Sequence, residues 1–438
     1  MKKGKRRELD RNEKFYVACK EERRSRKDTG RDGVSQMSEL STLILNEAKA
    51  IQEELVSWRR ALHRHPEVGF ELSWTKEFVR QKLVEMGYEP TECGRAGLVV
   101  VLGKPGGKTV LLRGDMDALP IAEQADVDYR SETDGKMHAC GHDMHTAMML
   151  GVARLLKQYE NRLEGQVKLM YQPAEEIFGG ANDMVQSGVL ENPHVDAAMM
   201  LHVTTGIPLP NGCLMVPEGG TGSASSDEFH IVVKGRGGHG AMPNLTVDPI
   251  NVMVHIHLAL QELHARELTP GDFLVITPGM LRAGEASNVI PDTAEMKGTI
   301  RAADVKMADF AKKRLVEIAQ ATASMFRATA EVSFAKHCPP MIADDAMSKA
   351  ARTYLTELLG QAVLPPVPGQ SKVGGGSEDF AFVSVEVPTI GVFLGAGDSA
   401  QGYAYPQHHP KAIFDDACLY RGTAAYAYFA LRWLQEHC

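Results

Sequence analysis

Between residues 97 and 202 the chain alternates short apolar runs with helical patterns, and this limits the folds open to it more than any other feature. Branched apolar residues fill 97–102 and 109–113, joined by Gly103-Lys104-Pro105-Gly106-Gly107-Lys108, a tight turn by composition. A helix is expected over 146–159, a buried strand over 166–171, a helix over 180–187 and a strand over 196–201 ending at His202. Such alternation indicates an α/β sheet with helices on both faces, with functional side chains where strands end. Ahead of it, Leu43, Leu45, Ala48, Ile51, Leu55 and Leu62 recur at helical spacing, so 38–86 reads as helix interrupted at Pro66.

The pattern changes near Gly222. A strand over 229–233 leads through a glycine turn to a helix opened by Asp248-Pro249, an N-cap followed by proline at the first helical position. Strands over 273–277 and 294–301, a helix over 305–326 and a strand over 330–335 complete the order βαββαβ, which is ferredoxin-like. This segment reads as a second domain inserted into the first, whose chain resumes near Pro339 and closes with an amphipathic helix over 416–435. The expected organisation is a basic, disordered extension over 1–36, a catalytic domain over 37–223 and 338–438, and a lid or dimerisation domain over 224–337.

Length supports that division, because 438 residues exceed one comfortable core. The first 36 residues hold 13 Lys/Arg against 7 Asp/Glu, a net of +6 in a chain whose total is -8, so the remainder carries -14. No basic stripe follows, which argues against a nucleic-acid partner. No apolar run is long enough to cross a bilayer, and the basic segment lacks the apolar centre of a secretory signal. Seven cysteines, odd in number and scattered, read as reduced thiols in a cytoplasmic protein. Two phosphate-binding patterns fail on context. Gly107-Lys108-Thr109 is followed by a strand, and Gly235 to Gly240 satisfies G-x-G-x-x-G but opens no helix before Pro243.

Chemistry concentrates in His138-Ala139-Cys140-Gly141-His142-Asp143-Met144-His145. Thiolate and imidazole suit Zn²⁺ and its transition-metal neighbours, and Gly141 lets the backbone turn tightly between Cys140 and His142. A lone Cys-x-His is as often a reduced cysteine beside surface histidines, so its company decides. Glu175-Glu176 follows an apolar strand, and adjacent residues on an extended segment point opposite ways, which gives two carboxylates two tasks. His202 ends an apolar strand, His408-His409-Pro410 lies in a polar loop, and Asp115 and Asp117 close a strand from which they can orient ligand imidazoles.

Taken together these motifs resemble the metal-dependent amidohydrolase family of hippurate hydrolase, bacterial N-acyl-amino-acid amidohydrolases and plant auxin-conjugate (IAA-amino acid) hydrolases. The matching stretches are Arg59-Arg60-Ala61-Leu62-His63 with Pro66-Glu67, Arg113 to Pro120, His138 to Thr146 and Gln172 to Glu176. Gly237 to Ala241 with Asp248-Pro249, Asn288 to Asp292, Gly298 to Arg301 and Gly376 to Phe380 follow in family order, covering about Leu40 to the end. One departure is visible: His409 stands where a small or amide residue is usual before the proline.

The resemblance implies a mixed-sheet metallopeptidase-like catalytic domain with an inserted ferredoxin-like lid, and a homodimer formed through that lid. It implies two divalent metal ions per subunit on Cys140, His142, Glu176, His202 and His408, with Asp117 behind the ligands. Zn or Mn is expected, and Co or Ni suits the same donors. Glu175 matches the general base and His239 a residue that reaches the partner's site, while Asn288 and Arg301 match substrate-binding positions. Amide hydrolysis at neutral pH needs a nucleophile, charge stabilisation and a proton for the departing amine, and these groups can supply all three. The expected activity is hydrolysis of the linear amide C–N bond of N-acyl amino acids or related conjugates, releasing a carboxylic acid and an amino acid. The alternatives are a metallo-aminopeptidase or dipeptidase acting on free dipeptides, and a non-catalytic metal-binding scaffold.

Overall fold

The apolar runs pair into one large sheet, seen in a computed structural model that describes residues 32–365 and 376–437. In chain order the strands begin with β1 (Thr91–Cys93), β2 (Gly97–Gly103), β3 (Thr109–Asp115), β4 (Gln166–Gln172) and β5 (Ala197–Thr204). They continue with β6 (Leu214–Met215), β7 (Gly220–Ser223), β8 (Ser226–Lys234), β9 (Gly238–His239), β10 (Leu274–Ala283) and β11 (Val289–Ile290). The last five are β12 (Thr293–Ala302), β13 (Thr329–Cys338), β14 (Met341–Ala343), β15 (Val363–Leu364) and β16 (Thr389–Gly395). The helices used below are α1 (Asp32–Ala50), α2 (Gln52–Arg64), α3 (Ser73–Glu85), α4 (His142–Tyr159), α5 (Gly180–Gln186), α6 (Pro249–Glu262), α7 (Val305–Met325), α8 (Asp345–Leu359) and α9 (Leu419–His437).

The described residues form a mixed α/β structure whose main sheet has the order β1-β2-β4-β3-β5-β16-β6-β15. Its centre is parallel: β3 pairs with β4 and β5, and β16 with β5. The two strands flanking the Gly103 to Lys108 turn do not pair with each other, because β4 lies between them, antiparallel to β2 and parallel to β3. Side chains alternate between two cores, as strands covered on both faces require. Ala197, Met199, Leu201 and Val203 of β5 face the core shared with α4 and α9, whereas Ala198 and Met200 face Met170, Met184 and Phe380.

The helical pattern expected over 38–86 with an interruption at Pro66 is three helices, α1 to α3, with a further break at Ile51 and the expected one across 65–72. The second break contains Pro66, which lacks the N–H a continuing helix needs. Of the extension expected over 1–36, residues 1–31 lie outside the described residues and α1 opens at Asp32.

The segment from β8 to β13 forms its own four-stranded antiparallel sheet, order β10-β12-β8-β13. Along β12, Ala294, Met296, Ile300 and Ala302 are buried against α6 and α7, and Glu295, Lys297, Thr299 and Arg301 occupy the other face. Asp248 caps α6 as its sequence requires, with its carboxylate accepting from Ile250 N at 2.9 Å and Asn251 N at 3.4 Å. Among the described residues no helix is long and apolar enough to cross a membrane.

Candidate metal centre

The parallel strands β3, β4 and β5 end along one edge of the main sheet, where an open α/β sheet presents its functional groups. Asp115 closes β3 with Asp117 just beyond it, His202 lies near the end of β5, and Glu175 and Glu176 follow β4. The two glutamates are not extended, as the sequence reading assumed, but form a single 3-10 turn bracketed by Ala174 and Phe178, both with left-handed backbone (φ 54°). Cys140 and His142 meet at the amino end of α4 across Gly141, whose φ is 92°. A Cβ at Gly141 would stand 2.4 Å from Val203 Cγ2, so no larger residue fits between the thiol and the imidazole. His408 enters from the C-terminal loop, anchored by its N–H on the Ala139 carbonyl at 2.9 Å.

These side chains converge. Cys140 Sγ lies 3.3 Å from His408 Nε2 and 3.7 Å from His202 Nε2. Glu176 reaches His408 Nε2 at 3.5 Å with one oxygen and His142 Nε2 at 3.7 Å with the other. Five groups of described residues have ligand atoms mutually within 4.8 Å, and three of them join these side chains: Cys140, His142 and His202; Cys140, Glu176 and His408; and His142, Glu175 and Glu176. Cys140 is shared by the first two. His409 turns away and stacks on Tyr405, ring centroids 4.3 Å apart.

The donor set fits a borderline-soft divalent cation. His142 Nδ1 lies 2.8 Å from the Asp117 carbonyl and His202 Nδ1 lies 2.7 Å from the Val203 carbonyl. A proton donated to each carbonyl leaves the Nε2 lone pair facing the cluster. His142 Nε2 and Glu176 Oε1 are buried and make no hydrogen bond among the described residues. Electrostatics favour added positive charge. Burial and then Glu176 push the Cys140 thiol up, and burial, with His142 and His408 opposing it, raises the Glu176 carboxyl. Burial works against a charged His142, yet Asp115 and Cys140 outweigh it and hold that imidazole well up. Burial next to His145 drives His202 well down, toward the neutral form that ligates metal.

Behind the cluster lies scaffolding of which sequence reasoning named only Asp115 and Asp117. The Asp117 carboxylate accepts from the backbone of both glutamates, Glu175 N at 3.0 Å and Glu176 N at 3.3 Å. Asp115 holds His145 Nδ1 at 2.5 Å, and the opposite ring nitrogen of His145 accepts from Val203 N at 2.8 Å. Arg113 is buried among Asp115 (2.6 Å), Glu378 (2.5 Å) and Asp379 (3.3 Å), and the Asp379 N–H donates to Glu175 at 3.3 Å. Burial, with Glu378, Asp379 and Glu176 close by, holds the Glu175 carboxyl well above the usual carboxylate range. Asp143 and His138, though in the same motif as Cys140, face elsewhere. Asp143 pairs with Arg59 (2.8 Å) and His63 (2.7 Å), and burial pushes His138 down to about 3. The signal for all of these was present in the Arg59-to-His63, Arg113-to-Pro120, His138-to-Thr146 and Gly376-to-Phe380 stretches, which carry charged residues inside buried elements.

The candidate lid residues fall in two places. Arg301 Nη1 donates to Ser377 Oγ at 2.6 Å, which joins the second sheet to the catalytic side. His239 and Asn288 are exposed neighbours on the small β9–β11 pairing, where Gly240 N donates to the Asn288 carbonyl at 2.9 Å. Neither lines the cavity beside the cluster. That cavity, of about 510 Å³, is lined by Cys140, Glu175, Glu176, His202 and His408 together with apolar side chains such as Phe178, Met200 and Phe393 and polar ones such as Ser377 and Glu378.

Residues 111–432 match the peptidase family M20/M25/M40, and the chain belongs to that family. Thermostable carboxypeptidase 2 of Saccharolobus solfataricus is 35% identical over 89% of this chain and 97% of its own length. An IAA-amino acid hydrolase of Arabidopsis thaliana is 37% identical over 87% of this chain and 86% of its own. Among solved structures, a Bacillus subtilis protein described as a dinuclear metal binding peptidase of the M20 family superposes with a TM-score of 0.74 at 32% identity, covering 88% of this chain and 99% of that one.

Proposed function

We propose that this protein is a metal-dependent hydrolase of the amide bond in N-acyl amino acids or related conjugates. The observation that carries the reading is the Glu175–Glu176 turn: one carboxylate joins the thiol and imidazoles while its neighbour, held by the Asp379 N–H, faces the cavity. Two divalent cations, zinc or manganese, would rest on Cys140, His142, Glu176, His202 and His408, with Cys140 in both groups. When bound, such ions acidify a water and polarise an amide carbonyl. Glu175 takes the proton of the attacking water, and its raised affinity for protons suits it to pass that proton to the departing nitrogen. Asp117 fixes the glutamate backbone and the His142 ring, so base and ligand keep their separate bearings. Arg301, whose planar fork matches a carboxylate, receives the carboxylate of the amino acid at the cavity rim.

The second sheet is read as a ferredoxin-like lid inserted over 224–337 between catalytic segments 37–223 and 338–438, following a basic extension over 1–36 of a cytoplasmic protein. Its strand order supports this, because the first strand lies between the third and the fourth. The exposed positions of His239 and Asn288, off the cavity, fit a homodimer in which each lid serves the partner's centre.

A peptidase acting on free dipeptides is the second reading, favoured by the carboxypeptidase among the relatives. A free α-amine needs an unengaged carboxylate, and Glu378, the further carboxylate in the cavity, is committed to Arg113 and to the Phe380 N–H at 2.9 Å. Comparing N-benzoylalanine with alanylalanine under metal analysis tests the choice. Faster cleavage of the N-benzoyl compound with divalent metal bound is expected, and preference for the dipeptide would replace this reading with the second.

A further inference from the structure

Gln407 is not among the candidate ligands, yet it lines the cavity from the turn just before His408 and touches the cluster. Its Nε2 lies 3.5 Å from Cys140 Sγ, 3.5 Å from the Cys140 carbonyl oxygen and 3.4 Å from His202 Nδ1. To oxygen such a distance is long, whereas sulfur is a larger atom and 3.5 Å is an ordinary approach, so the thiol is the chief partner. The neighbours also fix which way the carboxamide faces. His202 Nδ1 already gives its proton to the Val203 carbonyl at 2.7 Å, and the other two neighbours are acceptors. Turned over, Oε1 would meet a carbonyl oxygen and a thiolate with no proton between them. Backbone contacts hold the stem of this side chain. One residue on, the His408 N–H donates to the Ala139 carbonyl at 2.9 Å, which seats 407–408 along 139–140. One residue back, Pro406 crosses Gly206, where a Cβ would stand 2.5 Å from Pro406 N.

Cys140 belongs to both candidate ligand groups, with His142 and His202 in one and Glu176 and His408 in the other. A thiolate that serves two cations spends two of its lone pairs on them. The third is left in a buried setting, where an unpaired acceptor is costly. The other side chains against the sulfur, His202 and His408 among them, are themselves candidate ligands. Resting on the two-cation reading, we infer that Gln407 is a positioning residue for the shared thiolate. Its carboxamide N–H donates to the lone pair the metals leave over, holds Cys140 toward both ligand groups and draws charge from the sulfur.

Protein loaded with Co²⁺ tests this, because thiolate-to-cobalt charge transfer absorbs light at an energy set by the charge on sulfur. Cys140→Ser should abolish the band, which assigns it. Gln407→Leu keeps most of the bulk and removes the donor. Without the N–H the sulfur electrons lie higher, so the band should move to longer wavelength. Chelator competition should show metal affinity falling about 10–100-fold, the range for an outer-shell partner. Gln407→Ala should do the same and serves if the leucine variant does not fold. Should neither fold, NMR of wild-type protein decides: one Gln407 side-chain N–H should move downfield when a diamagnetic cation, Zn²⁺, is bound. An unmoved band in a folded variant, even with weakened affinity, overturns the role and leaves Gln407 a fastener of the loop. No downfield shift overturns it equally. A wild-type protein without any thiolate band removes the contact together with Cys140 as a ligand. A band that shifts as expected in protein that hydrolyses neither N-acyl amino acids nor dipeptides would overturn the hydrolase reading and leave the contact standing.

Discussion

The metal cluster and the β9–β11 pairing treat histidine in opposite ways. In the cluster three imidazoles are held, and only His408 is exposed: His142 and His202 have a backbone carbonyl on one nitrogen, and His145 has a carboxylate and an N–H. In the β9–β11 pairing His239 is exposed, and its Nδ1 accepts from Ala241 N only two residues away at 3.1 Å. The first arrangement is organised within one chain before any ligand arrives. The second presents a donor to something outside the chain's own cavity. On the proposed reading, function draws on both a finished half and an offered half.

Replacing Glu175 by Gln strikes the finished half hardest. A loss of kcat of about 10²–10⁴-fold is expected with bound metal unchanged, measured by steady-state assay and elemental analysis of the same preparation. Metal lost in step with activity would mean that Glu175 is itself a ligand. Cys140→Ser should act on the same region through metal retention. It should weaken affinity by at least the roughly 10–100-fold that an outer-shell partner is worth, read by competition with a chelator, and full occupancy after dialysis would remove Cys140 from the ligand set.

His239→Ala tests the offered half, with an expected loss of about 10²–10³-fold if the imidazole steadies a developing oxyanion. Mixing that protein with Glu175→Gln under subunit exchange should restore activity, because one centre of the mixed dimer is then intact. Mixed dimers that form and stay inactive would place His239 in its own chain's site. Arg301→Lys should be mildest, raising KM about tenfold with kcat nearly kept, since a lysine keeps the charge and loses the fork. A fall in kcat without a change in KM would put Arg301 on the reacting atoms.

How much of this was legible depended on whether the signal was local. The start of α6 was readable because Asp248 and Pro249 act within one turn, and the alternation from 97 to 202 marked strands whose sides are chosen by neighbours two residues away. The insertion of β4 between β2 and β3 was not readable, since pairing between strands over fifty residues apart leaves no mark in either strand. Likewise the ion pair between Arg113 and Glu378 spans 265 positions. Which of two adjacent histidines turns toward Cys140 was not readable: His408, with φ 65°, brings Nε2 to 3.3 Å from Cys140 Sγ, while His409 lies on Tyr405.

Asp117 ties three roles together, since its carboxylate carries the amides of both glutamates and its carbonyl takes the His142 ring. Residues that share a partner do not vary independently, and pairs of this kind show coupling of about 0.5–3 kcal/mol in double-mutant cycles. In the proposed roles, the proton carrier, one carboxylate ligand and one imidazole ligand therefore share a single anchor. Sequence drift at any one of them alone would be felt by the other two, so this corner should change by joint replacement rather than by stepwise substitution.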